Sequence, residues 1–285
     1  MTYALLDSGG GRKLERVGPY RLDRQAAQAH WKPRLTGREW SDVDAMHVRG
    51  ETGGGHWEQR RRVAESWEIE LAGVRLKLKL TPFGHLGLFA EHASHWPWLR
   101  ERCTTAPGEP PLEVLHLFAY TGGPSLACAQ GGARVTHVDA ARGIVDWARE
   151  NAALNPLPGP QIRWIAEDCT AFLRREQRRG KRYDALILDP PSFGRGSKSE
   201  VFKIESDLGP LLDLCVELLG PSPRFVLLSC HTPGFTPLVL ENLLGERLER
   251  DSFAIESAET TLAEERSGRR LPSGSYTRWS RVTTL

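Results

Sequence analysis

The sequence predicts an open, largely parallel α/β sheet from about Leu112 onward, preceded by a small β-rich region. Short apolar runs at 112–118, 134–139, 161–166, 183–188 and 224–229 alternate with helical stretches, which is the signature of parallel βαβ units. The first four runs end in a Gly-Gly turn, an acid, an acid and a Pro-Pro turn, in that order. In an open α/β sheet, ligands sit beyond the carboxyl ends of the strands, so these ends line one crevice.

Taken in order, residues 1–95 read as a β-rich domain or extension, and 96–285 as the α/β domain. Leu14 to Leu22 carries a Gly18-Pro19 turn between two extended pieces, and SWEIELAGVRLKLKL (66–80) alternates apolar and polar residues on both sides of Ala72-Gly73, a hairpin signal. Trp31, Trp40, Trp57 and Trp67 fall in this region and are expected as anchors of a thin core, base stacking being their other use. In the second domain, helices are expected at 143–155, ended by the Pro156, Pro158, Gly159, Pro160 cluster, at 169–178, and at 208–220, ended by Gly220-Pro221. A helix near 236–247, a strand near 252–261, a basic Gly/Ser loop at 264–274 and a last strand at 275–282 complete the chain.

Lys and Arg number 38 against 36 Asp and Glu, a net charge of +2, so overall charge argues neither for nor against a polyanionic partner. Five cysteines without CxxC or His/Cys spacing fit reduced thiols, not a disulfide framework or a metal site. The segment MTYALLDSGGGRKLERVG lacks the pattern of a signal peptide, and no apolar run reaches the roughly 18 residues that span a bilayer. A cytoplasmic protein with no metal and no membrane partner is expected, its oligomeric state left open.

Phe118-Ala119-Tyr120-Thr121-Gly122-Gly123 follows the first strand of the sheet. Its glycines let a backbone pass close to a ligand, and the helix that follows offers free N–H groups to a carboxylate; the turn lacks the GxGxxG spacing of a dinucleotide site. Asp139 ends the second strand, where an acid can accept from both ribose hydroxyls or cap the next helix. Asp168 ends the third, where a carboxylate can take an adenine amino group or cap the helix at 169–178.

Asp189-Pro190-Pro191-Ser192-Phe193 ends the fourth strand. Consecutive prolines fix φ and supply carbonyls without competing N–H groups, so the turn holds acceptors for an amino group or ring N–H, and Phe193 can stack on a splayed base. Cys230, in LLSCHT (227–232), ends the fifth strand beside Asp189; it is a candidate nucleophile with His231 as neighbour, or a buried apolar thiol. Basic residues recur in RREQRRGKR (174–182), read as solvated surface, and at Arg195, Lys198 and Lys203 and at Arg266, Arg269 and Arg270, read as phosphate contacts.

This order of turn, acid, acid and Asp-Pro-Pro-Ser-Phe resembles the class I S-adenosylmethionine-dependent methyltransferases, within them the branch that methylates cytosine C5 in 23S ribosomal RNA. The resemblance implies a seven-stranded Rossmann-like sheet with an antiparallel last strand, S-adenosylmethionine as cofactor and ribosomal RNA as partner. Carried over by position, it implies that Tyr120, Thr121, Gly122 and Gly123 form the cofactor loop, with Phe118 ahead of it, that Asp139 with Ala140 takes the ribose, and that Asp168 with Cys169 takes the adenine side. Asp189 then faces both cofactor and substrate, with Pro190, Phe193 and Cys230 completing the catalytic set. GHLGLFAEH (84–92) resembles the segment that reaches the methionine end, although some relatives carry Asp-Gln-Arg where this chain has Glu91-His92-Ala93. Relatives with the same Pro-Pro turn methylate guanine and carry Asn in place of the Cys. The rival readings are therefore N-methylation of guanine and an RNA-binding protein that keeps the cofactor without turnover.

Overall fold

The computed structural model describes residues 2–50, 54–159, 161–195 and 201–282; Pro160 and Lys198 lie outside them. The chain forms two compact units, Met1–Ala93 with Thr260–Ser273, and Ser94–Glu259 with Gly274–Leu285. The segment 260–273, expected within the second domain, thus groups with the first.

The first unit holds a five-stranded sheet of β1 (Tyr3–Gly9), β2 (Arg12–Val17), β3 (Tyr20–Gln25), β4 (Ala45–Arg49) and β5 (Gly55–Gln59), in that spatial order, with the short helix α1 (Gly37–Ser41) between β3 and β4. All neighbours pair antiparallel except β3 with β4. The hairpin read around Ala72-Gly73 is present as β6 (Trp67–Leu71) and β7 (Val74–Leu78). Both turn residues have positive φ, 47° and 78°, the geometry that matches strand twist in a two-residue hairpin.

The indoles are anchors. Trp67 is 8% exposed. Trp31 Nε1 donates to Ser8 O at 2.9 Å, Trp40 Nε1 to Asp7 Oδ2 at 2.9 Å and Trp57 Nε1 to Thr81 O at 2.7 Å. This thin core also contains charge. Asp7, Glu15 and Glu264 are nearly inaccessible, and each is held by cations: Arg269 reaches Asp7 at 2.8 Å and Glu264 at 2.7 Å, while Arg24 and Lys13 reach Glu15 at 2.6 and 3.2 Å. The phosphate-contact reading of Arg269 is therefore corrected. The guanidinium is spent on buried carboxylates, whose charge could not otherwise be tolerated. Arg270, its Nε donating to Thr261 Oγ1, and Arg266, 3.6 Å from Glu39, both stay exposed.

The second unit opens with a 3₁₀ turn (Ala90–His95 spans the boundary) and α2 (Trp96–Arg102). Then follow β8 (Glu113–Leu117), α3 (Gly123–Gln130), β9 (Arg134–Asp139), α4 (Arg142–Ala153), β10 (Ile162–Ala166), α5 (Cys169–Arg178) and β11 (Ala185–Leu188). The two-stranded ribbon β12 (Phe193–Arg195) and β13 (Val201–Lys203) precedes α6 (Ile204–Glu217), β14 (Phe225–Cys230), α7 (Pro237–Gly245), β15 (Phe253–Ala263) and β16 (Arg270–Arg281). The seven-stranded sheet runs β10-β9-β8-β11-β14-β16-β15. Strands β10 through β14 are parallel, and β16 is antiparallel to β14, as the sequence reading required. Order reverses between β8 and β11, the switch point where ligands bind.

Strands β8, β9, β11 and β14 are buried on both faces, as central parallel strands are, with His116, Thr136, His137 and Ser229 the polar side chains among their apolar ones. One face contributes Leu115, Leu117, Leu186, Leu188 and Leu228 to a core with Phe172 of α5 and Leu211 of α6. Two boundaries differ from expectation. Helix α6 starts four residues early because Asp207 Oδ2 accepts from Lys203 N at 2.7 Å and anchors a first turn that the Gly209-Pro210 pair disguises. Strand β16 includes 270–274, where Pro272 and Gly274 read locally as loop. Among the described residues no helix is long and apolar enough to cross a membrane, and the five cysteines are free and buried.

Candidate active site

The turn after β8 is the most strained backbone in the second unit. Phe118 and Tyr120 have φ of 53° and 49°, and Gly122 has 91°. Left-handed backbone costs a bulky L-residue about 1–2 kcal/mol and persists only where surroundings enforce it, most often at ligand sites. Here the surroundings are visible. Ala119 N donates to Val138 O at 3.0 Å, Tyr120 N to Asp139 Oδ2 at 2.9 Å, and Thr121 O accepts from Asn151 Nδ2 at 2.9 Å. A Cβ on Gly123 would lie 2.5 Å from the Trp96 ring, so only glycine lets α3 start there. Beneath the turn, the buried Ser125 Oγ lies 2.7 Å from His116 Nδ1 and 3.0 Å from His137 Nδ1. Burial, with His116 adding to it, holds His137 well below the usual histidine range, so it is neutral.

Asp139, at the end of β9, accepts one backbone N–H on each carboxylate oxygen: Tyr120 N on Oδ2, and Ala141 N on Oδ1 at 3.0 Å. Helix α4 is capped by Ala141 instead, so the capping reading of Asp139 drops away. Both oxygens keep further lone pairs, and Ala140 stands half-buried beside them. Burial pushes this carboxyl up, with the Ala141 and Tyr120 amides opposing.

Asp168 does cap α5: its Oδ1 accepts from Ala171 N at 2.9 Å, and Oδ2 has no part in that bond. It lines a cavity of about 600 Å³ with Thr170, Ala171, Phe202 and Leu211. The Cys169 side chain is 3% exposed and lies in the core, its thiol pushed far up by burial, so only its backbone faces outward chemistry. Phe118 leans on Phe202 at 5.2 Å between ring centres.

At the end of β11 the register pairs Leu188 with Leu228, which sets Asp189 beside Ser229. Ser229 Oγ donates to Asp189 Oδ1 at 2.9 Å, and His231 Nδ1 lies 3.5 Å from the same oxygen. The Asp189 side chain is 22% exposed, so the carboxylate is oriented without being closed off. Ser192 Oγ lies 2.6 Å from Thr232 Oγ1, tying the Pro-Pro turn to the turn after β14. Pro190 is buried, and Phe193, 50% exposed, starts β12.

Cys230 is adjacent in chain and sheet, yet 1% exposed; its sulfur accepts from Thr232 N at 3.3 Å. Burial pushes the thiol up and the Asp189 charge adds to it, so it rests protonated. Gly274 crosses so close that a Cβ there would lie 2.7 Å from Cys230 O. Of the basic groups, 174–182 lies mostly at the surface, with Arg174, Arg178 and Arg182 exposed, while Arg175 pairs with Glu167, Arg179 with Glu176 at 3.2 Å and Lys181 with Glu113 at 3.0 Å. Lys203 caps α6 with its backbone.

The sequence reading gave no role to Ser192, Ser229 and Thr232, and it named His231 as a neighbour of Cys230 where the structure sets it beside Asp189. All four lie within the two motifs it did single out, and their polar side chains at strand ends were the available signal.

A family model of S-adenosylmethionine-dependent methyltransferases matches residues 42–259. The chain is similar to a ribosomal RNA large subunit methyltransferase K/L from Shewanella sp. (strain ANA-3), 35% identical over 54% of this chain and 21% of that one. It thus spans about a fifth of the length of the curated relatives it matches. A crystal structure of the S-adenosylmethionine-dependent methyltransferase from Agrobacterium tumefaciens superposes with a TM-score of 0.92 at 38% identity, covering 98% of this chain and 90% of that one. A Streptococcus mutans structure shares the fold, with a TM-score of 0.75 at 17% identity over 98% of this chain and 75% of that one. With a match of this extent in both sequence and structure, the chain belongs to the S-adenosylmethionine-dependent methyltransferase family.

Proposed function

We propose that this protein methylates a base of ribosomal RNA and that Asp189 is the residue that holds the accepting base. The observation that carries the proposal is the carboxylate itself. It ends the fourth parallel strand, is oriented by Ser229 and His231 and stays open beside the half-exposed Phe193. That arrangement suits a planar ring with an N–H or amino edge, and the name of the curated relatives supports RNA as its source.

S-adenosylmethionine supplies a methyl group already activated on sulfonium sulfur, so the protein's work is alignment. Asp139, its two oxygens fixed by the Tyr120 and Ala141 amides, receives the ribose hydroxyls. Asp168 Oδ2, the oxygen outside the cap, takes the adenine amino group. The turn from Tyr120 to Gly123 lets backbone approach the amino-acid end, and Gly123 itself is required by the buried Trp96 ring against which α3 starts. Asp189 accepts a hydrogen bond from the base edge, and Phe193 stacks on its face.

Two accepting atoms fit. The position of Cys230 beside Asp189 supports pyrimidine C5: the thiolate adds to C6, the ring electron pair at C5 takes the methyl, and loss of the C5 proton expels the sulfur. The burial of Cys230 and its raised pKa support the second reading, a guanine or amino nitrogen held by Asp189 alone. RNA containing 5-fluorocytidine separates them. A complex stable to denaturing gels, abolished by Cys230→Ala, is the pyrimidine outcome. Near-normal turnover in Cys230→Ala, with Asp189→Asn severely slowed, is the nitrogen outcome.

A further inference from the structure

A cavity of about 300 Å³ in the first unit is lined by Lys13, Arg24, Arg49, Phe83, His85 and Glu91, with His47 behind them. Phe83 stands at this cavity 65% exposed, the most exposed of the large apolar side chains described. A single exposed apolar ring is common on protein surfaces, so Phe83 carries weight only together with the turn that holds it and the charges beside it.

The turn that carries it is fixed from several sides. Gly84 N donates to Thr81 O at 3.0 Å, and Thr81 N and Oγ1 donate to His85 O at 3.1 and 2.8 Å. From outside the turn, Trp57 Nε1 donates to Thr81 O at 2.7 Å and Arg24 Nη1 to Gly84 O at 3.0 Å, while His47 Nε2 lies 3.1 Å from Pro82 O. Gly84 has a φ of +77°, and the His47 ring sits 2.8 Å from where its Cβ would be, so no other residue fits beside Phe83 without rearrangement. Phe83 is therefore held out by a preorganised turn, which lowers the entropic cost of binding to it.

The cations give the ligand its character. Glu15 is fully buried and neutralised by Arg24 at 2.6 Å and Lys13 at 3.2 Å; these two with Arg49 make three positive charges against the carboxylates of Glu15 and Glu91. Burial, with the Arg24 charge, pushes His85 down to about 4, so it adds no charge at neutral pH. With Arg24 and Lys13 engaged by Glu15, the exposed Arg49 is the cation left facing solvent beside the exposed ring, a combination that binds unpaired nucleotides by stacking and by phosphate contact.

We propose that this cavity binds an unpaired segment of the substrate RNA, with Phe83 stacking on a base and Arg49 neutralising phosphate. The inference rests on the RNA reading above and assigns it a second contact surface.

Filter binding of protein-free large-subunit rRNA across a salt series, with calorimetry of S-adenosylhomocysteine as control, tests it on the full chain. Phe83→Ala should weaken RNA binding by about 5- to 100-fold, the range of one base–aromatic stack, and Phe83→Trp should restore it. Arg49→Gln should lower the salt slope by about 0.7. Cofactor affinity should stay the same in all three variants. RNA binding unaltered in Phe83→Ala would overturn the cavity assignment and leave the RNA reading standing. Loss of cofactor affinity in its place would give the cavity to the cofactor. A wild-type protein that retains no rRNA would end both.

Discussion

Replacing Asp139 probes the proposed cofactor pocket where the geometry is most explicit. Each oxygen of this carboxylate accepts a backbone N–H, Tyr120 on one side at 2.9 Å and Ala141 on the other at 3.0 Å. Alanine leaves both donors unsatisfied, at about 1–3 kcal/mol of stability, since water reaches part of the site. Asparagine is no milder in kind. Its single acceptor oxygen serves one N–H, and its amide nitrogen then points at the other. Hydrogen bonds from ribose hydroxyls to a charged acceptor contribute about 1.5–3 kcal/mol, so both variants should weaken S-adenosylhomocysteine roughly 10- to 150-fold. Titration calorimetry on protein shown to be folded by its thermal transition measures this directly. Wild-type affinity in a folded Asp139→Ala variant would remove Asp139 from the site and refute the reasoning from strand-end acids.

Gly123→Ala should lower stability by about 1–3 kcal/mol, because its Cβ would enter the Trp96 ring at 2.5 Å; a melting curve equal to wild type would show that α2 yields freely. Arg269→Met should destabilise by about 2–4 kcal/mol in urea, since it leaves Asp7 and Glu264 buried without their cation, while rRNA affinity at fixed salt stays unchanged; weaker RNA binding in folded protein would restore the phosphate-contact reading. Arg24 and Lys13 hold Glu15 down to about 2, against an ordinary value of 4.5. A carboxyl lowered on folding contributes stability that is complete above 4.5 and lost as pH falls toward 2, so urea stability should decline over that window and Glu15→Gln should flatten the decline.

The strands and helices of the second unit were legible because their signals are local. Apolar runs such as ALIL and FVLLSC end at an acid or a polar turn, and Asp168 even sits at the exact cap its type favours. The same locality explains what was not legible. The left-handed backbone of Phe118 and Tyr120 is imposed by Val138, Asp139 and Asn151, which no window around the turn contains. Arg269 looked like a free cation because its partner Asp7 is 262 positions away. Cys230 sat at the right strand end, but the sequence could not tell that Gly274 and Thr232 close over it. Motif positions are written in the chain, whereas exposure and protonation are set by what packs against them.

Methyl transfer to RNA tests the central claim most directly. Wild-type protein incubated with S-adenosylmethionine carrying a labelled methyl group and with protein-free large-subunit rRNA, followed by nucleoside mass spectrometry, should yield one labelled methylated base. Asp189→Asn should reduce that yield by two orders of magnitude or more, about 2.7 kcal/mol of lost positioning, with cofactor affinity within a few fold of wild type. Label confined to other acceptors, or a folded Asp189→Asn variant that labels rRNA at the wild-type rate, would contradict the account.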